Sequence, residues 1–245
     1  MNPNVRLRLA VMMFLQFALW GAWFVTTSTY LLKIGFSGLQ VGAAYSTMNW
    51  GAILAPVIAG VLHLAGAALL WHISSITDPT QFFWMLLAYA VCYMPTLGLA
   101  NTISFHQMSE PSRQFGPIRA CGTVGWIVAG FVVGLFAPQL LGHSIEDTNL
   151  PLKIAAVVSV LLGLYCFSLP ATPPAAKGRK PSISEALGLS TLAKMKDRSF
   201  AVFVIGSLLL CIPLSFYYSF ANPFLNEVGM QNAAMKMTLG QMSEV

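Results

Sequence analysis

Long apolar runs separated by short polar clusters make up most of the chain. The first run extends from Leu7 to Leu32. It is too long for the apolar region of a signal peptide, and no small-residue cleavage site follows it, so it reads as a retained helix. The stretch Val41 to Ser74 contains no Asp, Glu, Lys or Arg at all. Further runs cover Phe82 to Thr102, Ile118 to Phe136, Ile154 to Leu169 and Phe200 to Phe220. A last helix is expected to begin near Ala234, with the sequence stopping inside it at Val245. A spanning helix needs about 20 predominantly apolar residues, and several of these runs reach that length.

The stretch from Val41 to Ser74 requires a choice. As one helix it would measure roughly 50 Å at about 1.5 Å per residue, against a hydrocarbon core of about 30 Å. Basic residues concentrate in cytoplasmic loops, and they arbitrate. With two crossings and the N-terminus inside, Arg6, Arg8, Arg113 and the cluster Lys177, Arg179, Lys180, Lys194, Lys196 and Arg198 all fall inside. Lys33, Lys153 and Lys236 fall outside, beside the acidic pair Glu146 and Asp147. With one crossing the large basic segment would lie outside, so the pattern predicts two. The second of the pair, about Val61 to Ser74, is then short. A cytoplasmic turn is expected to be missing after Gly60, as a deletion or as a gap in the sequence.

Composition agrees with this reading: 56% of the 245 residues are hydrophobic and 9% charged, with a mean hydropathy of +0.70. A water-facing domain carries about a quarter charged residues. The predicted fold class is an all-α polytopic membrane protein: six helices over 1–169, a basic cytoplasmic linker over 170–198, and the start of a second set over 199–245. The linker holds Pro170, Pro173, Pro174 and Pro181. Within it, 182–196 is expected to form an amphipathic surface helix with Leu187, Leu189, Leu192 and Met195 on its apolar side. Six helices followed by a long inner linker is the plan of major facilitator transporters, whose halves enclose a midplane site. The chain then reads as a little over half of such a carrier, with a truncated start of the C-terminal bundle.

Missing chemistry narrows the function. Cys92, Cys121, Cys166 and Cys211 lie in four different spans without CxxC spacing, and His63, His72, His106 and His143 form no i, i+4 pair. Neither disulfides nor a metal are implied. There is no phosphate-binding Gly-Lys loop and no acidic pair of a membrane-bound transferase, so an enzyme is not expected. No cofactor is expected either; an ion gradient or the substrate's own gradient would drive the carrier. The basic charge (pI near 9.1) follows the inner-face bias rather than a nucleic-acid module.

Polar residues inside the spans mark where function could lie. Gln16, Trp20 and Trp23 share one helical face, which suits either an aromatic solute with polar edges or plain helix–helix packing. Tyr45 and Asn49 carry the same ambiguity. In the fifth span Pro117 is placed to open the helix, and Arg119, Thr123 and Trp126 follow on one face. An intramembrane Arg costs about 2.5–3.5 kcal/mol on insertion scales, so Arg119 either faces a cavity or snorkels from the helix start. Gly130 and Gly134 form a GxxxG, which close packing explains. Gln241 and Glu244 stand at i, i+3 in the eighth span. An acid there is a candidate proton carrier, because protonation removes the cost of its charge.

Four strings resemble the bacterial nucleoside:proton symporters, a twelve-helix branch of the major facilitator superfamily. They are Phe14-Leu15-Gln16-Phe17-Ala18-Leu19-Trp20-Gly21-Ala22-Trp23, the run Tyr93 to Ser104, Pro117-Ile118-Arg119 with Gly122-Thr123-Val124-Gly125, and Gln241-Met242-Ser243-Glu244. Their order and spacing agree along nearly the whole chain. The resemblance implies that Arg119 and Thr123 line a nucleoside site and that Trp126 packs on the base. It also implies that Gln241 binds substrate and that Glu244 acts in binding or proton coupling. Gln16 and Trp20 lie in a strongly matching string and are carried as substrate-site candidates. Ser215 and Tyr218 stand where better-known members carry amides, which leaves the base or sugar open. The acidic-basic gating motif usual between the second and third helices is absent.

The expectation is a secondary active transporter that imports nucleosides with protons by alternating access. It would sit in the bacterial inner membrane with its N-terminus cytoplasmic, act as a monomer when full length, and have no nucleic-acid partner. The alternatives are a facilitator of another solute, such as a sugar or modified purine, and a non-transporting membrane protein. The chain by itself is not expected to transport.

Overall fold

The computed structural model describes residues 1–54, 61–170, 172 and 197–242, without the side chains of 49–54. The expected turn after Gly60, the amphipathic segment 182–196 and Glu244 lie wholly or partly outside these residues.

The first span is two helices, α1 (Pro3–Phe24) and α2 (Thr27–Lys33). Pro3 at the first turn and the Asn2 side chain, accepting from the Asn4 N–H, start α1. At its far end the chain breaks, and Tyr45 fills the break. Its phenol donates to the Phe24 carbonyl and accepts the Ser28 N–H at 3.2 Å. The Thr27 hydroxyl donates to the Trp23 carbonyl at 2.7 Å. Backbone groups at membrane depth have no water to turn to, so a break survives only where side chains meet them. This gives Tyr45 a structural task.

The stretch Val41–Ser74 holds two helices, α3 (Gly38–Leu54) and α4 (Leu62–Ile73). With 12 residues, α4 spans about 18 Å, well short of the hydrocarbon core. The Ser159 hydroxyl donates to the His63 carbonyl at 2.7 Å near its inner end. Next come α5 (Pro79–His106) and α6 (Pro111–Phe131), the latter continued by a π-helical turn (Val132–Phe136) and α7 (Ala137–Leu141). The six-helix set closes with α8 (Leu150–Cys166). Asp residues start two long helices: Asp78 accepts from the Gln81 N–H at 2.7 Å and Asp197 from Phe200 N–H at 2.8 Å. The second opens α9 (Arg198–Glu227), and α10 (Ala233–Met242) follows. Among the described residues four stretches are long and apolar enough to cross a membrane: Pro3–Lys33, Pro79–His106, Pro111–Leu141 and Arg198–Glu227.

Pro117 does not open the fifth span. The helix starts at Pro111, and Pro117 is internal. Its missing N–H leaves the Arg113 carbonyl without a helical partner, and Arg113 is exposed where water can serve it. Arg119 therefore sits more than two turns inside the helix, not at its start.

Inside the bundle α1 packs on α6 and α8, α3 on α5, and α4 on α5 and α8. The end carrying the N-terminus is called inner below, and the end carrying Lys33 outer. Arg8 ties the inner end, its guanidinium donating to the Ser168 carbonyl at 2.8 Å. Asn149 ties the outer end, donating to the Ser74 carbonyl at 2.7 Å.

Tyr45→Phe is expected to destabilise the protein by about 1–3 kcal/mol, because it strips one buried acceptor and one buried donor of their partner. A lower midpoint of thermal unfolding in detergent, with unchanged helix content, is the result to look for.

Candidate functional site

The site is built on the contact between α1 and α6. A Cβ at Gly125 would lie 2.1 Å from the Phe14 carbonyl oxygen, and one at Gly21 would lie 3.2 Å from the Trp126 Cα. Only glycine lets the two backbones meet this closely, and lipid offers no hydrophobic push to replace such packing. The close approach sets Trp126 against α1. Its ring meets Trp20 edge-on at 5.6 Å and Phe24 at 6.3 Å between centroids. Toward the inner end of the same face, the Arg119 guanidinium lies 4.0 Å from the centre of the Phe17 ring. That is cation–π distance, and it gives the charge a partner inside the span. Thr123, half-buried, lies between Arg119 and Trp126 along α6.

The face Gln16, Trp20, Trp23 is real, and it packs antiparallel on α5. The Gln16 amide donates to the Thr96 hydroxyl at 2.7 Å, Trp20 meets Tyr93 at 6.2 Å, and Trp23 meets Tyr89 at 5.6 Å. The Tyr93 hydroxyl donates to the Gln16 carbonyl at 2.7 Å. Gln16 and Trp23 thus act as helix-to-helix ties. Trp20 differs in being shared between Tyr93 and Trp126; its buried Nε1–H, like that of Trp23, has no hydrogen-bond partner among the described residues.

The second helix set completes the site from the other side. Tyr218 on α9 stands edge-on to Trp126 at 5.9 Å and close to Phe24 at 5.4 Å. Trp126, Tyr217, Tyr218, Met237 and Gln241 surround a cavity of about 10 Å³, room for roughly one water. Ser215, one turn toward the inner end of α9, is exposed. The GxxxG joins α6 to α10: a Cβ at Gly134 would lie 2.3 Å from the Met235 nitrogen, and one at Gly130 would lie 2.2 Å from the Thr238 Cγ2.

Above this aromatic junction the outer end is sealed. The buried Glu146 carboxylate accepts from Asn222 at 2.9 Å, from Asn226 at 3.2 Å and from the Ala234 N–H at 2.9 Å. The Thr29 hydroxyl bonds to Asn222, and Lys33 pairs with Asp147 at 2.5 Å. Below the junction the lipid-length body of α9, from Val202 to Phe216, is mostly exposed.

A family model described as "Nucleoside H+ symporter" matches residues 3–245. The chain belongs to this family. Its sequence is 44% identical to "Putative nucleoside transporter YegT" of Escherichia coli (strain K12), over 97% of this chain and 59% of that protein. It is 35% identical to "Xanthosine permease" of the same organism, over 91% of this chain and 56% of that protein. Crystal structures of the nucleoside transporter NupG match at TM-scores of 0.84 and 0.80, with 32% and 31% identity, covering 98% of this chain and 65% of theirs. These relatives are carriers, not enzymes, and the fold is that of a major facilitator. The chain spans roughly three-fifths of the length of the curated relatives. The alignment to YegT runs over 253 positions, more than the 245 residues present here, so that relative has internal residues without a counterpart in this chain.

Of the residues singled out from the sequence, the structure gathers Trp20, Trp126, Tyr218 and Gln241 at one junction, with Arg119 and Thr123 below it on α6. Gln16 lies one turn away in the α1–α5 contact, Ser215 is on the open face of α9, and Glu244 lies outside the described residues. Sequence reasoning missed Phe17, Phe24, Glu146, Asn222 and Asn226. The two amides were visible as an i, i+4 pair near the outer end of the seventh span.

Gly125→Ala is expected to cost about 1–3 kcal/mol or more, because the new methyl meets a backbone carbonyl rather than a flexible side chain. Loss of the monodisperse peak in detergent chromatography, against a normal peak for Gly98→Ala in open space, would register it.

Proposed function

We propose that the full-length protein imports nucleosides with protons by alternating access in the bacterial inner membrane, its N-terminus cytoplasmic. The observation that carries this reading is the junction of α1, α6, α9 and α10. There two tryptophans and Tyr218 stand beside Gln241, with a cationic and a hydroxyl side chain just below on α6. Aromatic faces suit a base, and Arg119, Thr123 and Gln241 suit its polar edges and the ribose hydroxyls. Trp126, helped by Trp20, would stack on the base; Gln16 would brace Trp20 from the α5 side. Ser215 and Tyr218 would set which nucleoside is preferred. Glu244, three residues beyond Gln241, would load and release the proton. No cofactor is needed, and the full-length protein would act as a monomer surrounded by lipid. The names of the relatives, a putative nucleoside transporter and a xanthosine permease among them, support the substrate class.

Uptake of labelled uridine into proteoliposomes holding the full-length protein tests this reading. Accumulation should follow an acid-outside gradient and collapse with a protonophore. Competition should come from nucleosides and not from sugars; competition by sugars alone would favour the other-solute reading. Glu244→Gln should abolish uphill uptake and keep exchange, whereas unchanged gradient-driven accumulation would remove Glu244 from its role. Trp126→Ala should weaken binding by about 1–3 kcal/mol, the usual worth of a base–aromatic stack, or roughly fivefold to a hundredfold in affinity.

A further inference from the structure

The Glu146 carboxylate is almost fully enclosed, at 2% exposure, in the outer loop between α7 and α8. Among the described residues no Lys, Arg or His pairs with it. The nearby cations are otherwise placed: Lys33 is bonded to Asp147, Lys236 is exposed on α10, and the His143 ring faces the Ser144 carbonyl. Glu227 at the end of α9 is exposed as well. What holds the charge is a set of dipoles that come entirely from the second helix set. One oxygen accepts the side-chain amides of Asn222 and Asn226; the other accepts the Ala234 N–H. The last bond places a carboxylate at the N-terminus of α10, where the helix dipole favours negative charge. Asn222 also receives the Thr29 hydroxyl and the Asn226 amide, so α2, the loop, α9 and α10 meet in one network.

This network lies directly above the cavity that Val25, Trp126, Tyr218 and Gln241 line. For a solute to enter from outside, α9 and α10 must leave α2, α6 and the loop. Every hydrogen bond that the Glu146 carboxylate makes crosses that seam. Opening the outer mouth therefore means replacing all three donors with water, while the GxxxG contact to α10 parts alongside.

We propose that Glu146 is the latch of the outer gate: a positioning residue for the transport cycle that holds α9 and α10 against the first helix set and so maintains the inward-facing state. The proposal rests on the alternating-access reading above. Removal of the carboxylate takes the oxygen acceptor from the Asn222 amide and the Ala234 N–H, while the Asn226 amide keeps the Asn222 carbonyl; water can serve the two stripped donors only when the mouth is open, which shifts the balance toward the outward-facing state.

The test uses the full-length protein in a cysteine-free background with one cysteine placed beneath the latch (V25C). A membrane-impermeant maleimide is applied to right-side-out vesicles. E146A should raise the labelling rate about tenfold, in line with the loss of a buried charged hydrogen-bond acceptor. E146Q and N222D should each raise it too: the first turns an amide toward donors, and the second sets two carboxylates together. The double variant E146Q/N222D exchanges donor for acceptor across the same seam and should bring labelling back toward the parent rate, which a purely structural defect would not do. A monodisperse E146A that labels at the parent rate overturns the proposal. So does a folded double variant that labels as fast as E146Q alone. Labelling needs no substrate, so a failure of nucleoside uptake with these labelling shifts intact would count against the nucleoside reading and not against the latch.

Discussion

The closeness of α1 and α6 governs the rest of the site. In lipid, helices gain nothing by hiding apolar surface from water, so association relies on close contact and on polar ties. Gly21 and Gly125 remove the side chains that would hold the backbones apart, and Phe14 presents its carbonyl where a Cβ would otherwise stand. That proximity brings Trp126 onto α1 and sets the Arg119 guanidinium over Phe17. A wider crossing would draw the Arg119 guanidinium off the Phe17 ring and separate Trp126 from Trp20. The chemistry of the junction is thus a consequence of small residues that carry no chemistry themselves.

Polar ties complete the frame, and they sort by depth. Within the bundle, the Gln16–Thr96 and Tyr93–Gln16 bonds fix α1 to α5, and Tyr45 closes the break between α1 and α2. At the outer end, Glu146 joins the two helix sets through Asn222, Asn226 and the α10 backbone. The first group lies within one rigid set, whereas the second crosses the surface along which alternating access would move. Buried polar groups are costly unless satisfied, so the ties within the first set would stay closed through a transport cycle, whereas the proposed latch would part only as water replaces its partners.

Spans were legible because hydrophobic length is a strong signal: Val41–Ser74 had to be two helices, and charge placement agreed. The short α4 was legible for the same reason. The start of the fifth span was not, because Pro117 resembles a helix opener and so does Pro111, nearly two turns earlier; only the solvent exposure of Arg113 makes an internal proline tolerable there. The shared face of Gln16, Trp20 and Trp23 was legible, but its destination was not. Periodicity gives a face, and only packing shows that it meets Thr96, Tyr93 and Tyr89 in register. Glu146 was read as one of several outer-loop charges, since nothing in a loop sequence shows that two amides 76 and 80 positions away will close over it.

The small size of the junction cavity has a further consequence. At about 10 Å³ it holds a water at most, whereas small-molecule sites run to several hundred cubic ångströms. Trp126 and Tyr218 therefore meet as a roof in this state. A nucleoside would lie on their inner side, where Arg119 and Thr123 extend from α6 and Ser215 from the exposed face of α9. Stacking on Trp126 from below would leave the outer seam untouched. Entry from outside, by contrast, would require the Trp126–Tyr218 edge contact to part together with the Glu146 network. On this reading the aromatic pair and the proposed latch would stand in series on one path, so the ring proposed to orient the solute would also belong to the barrier that the solute must cross.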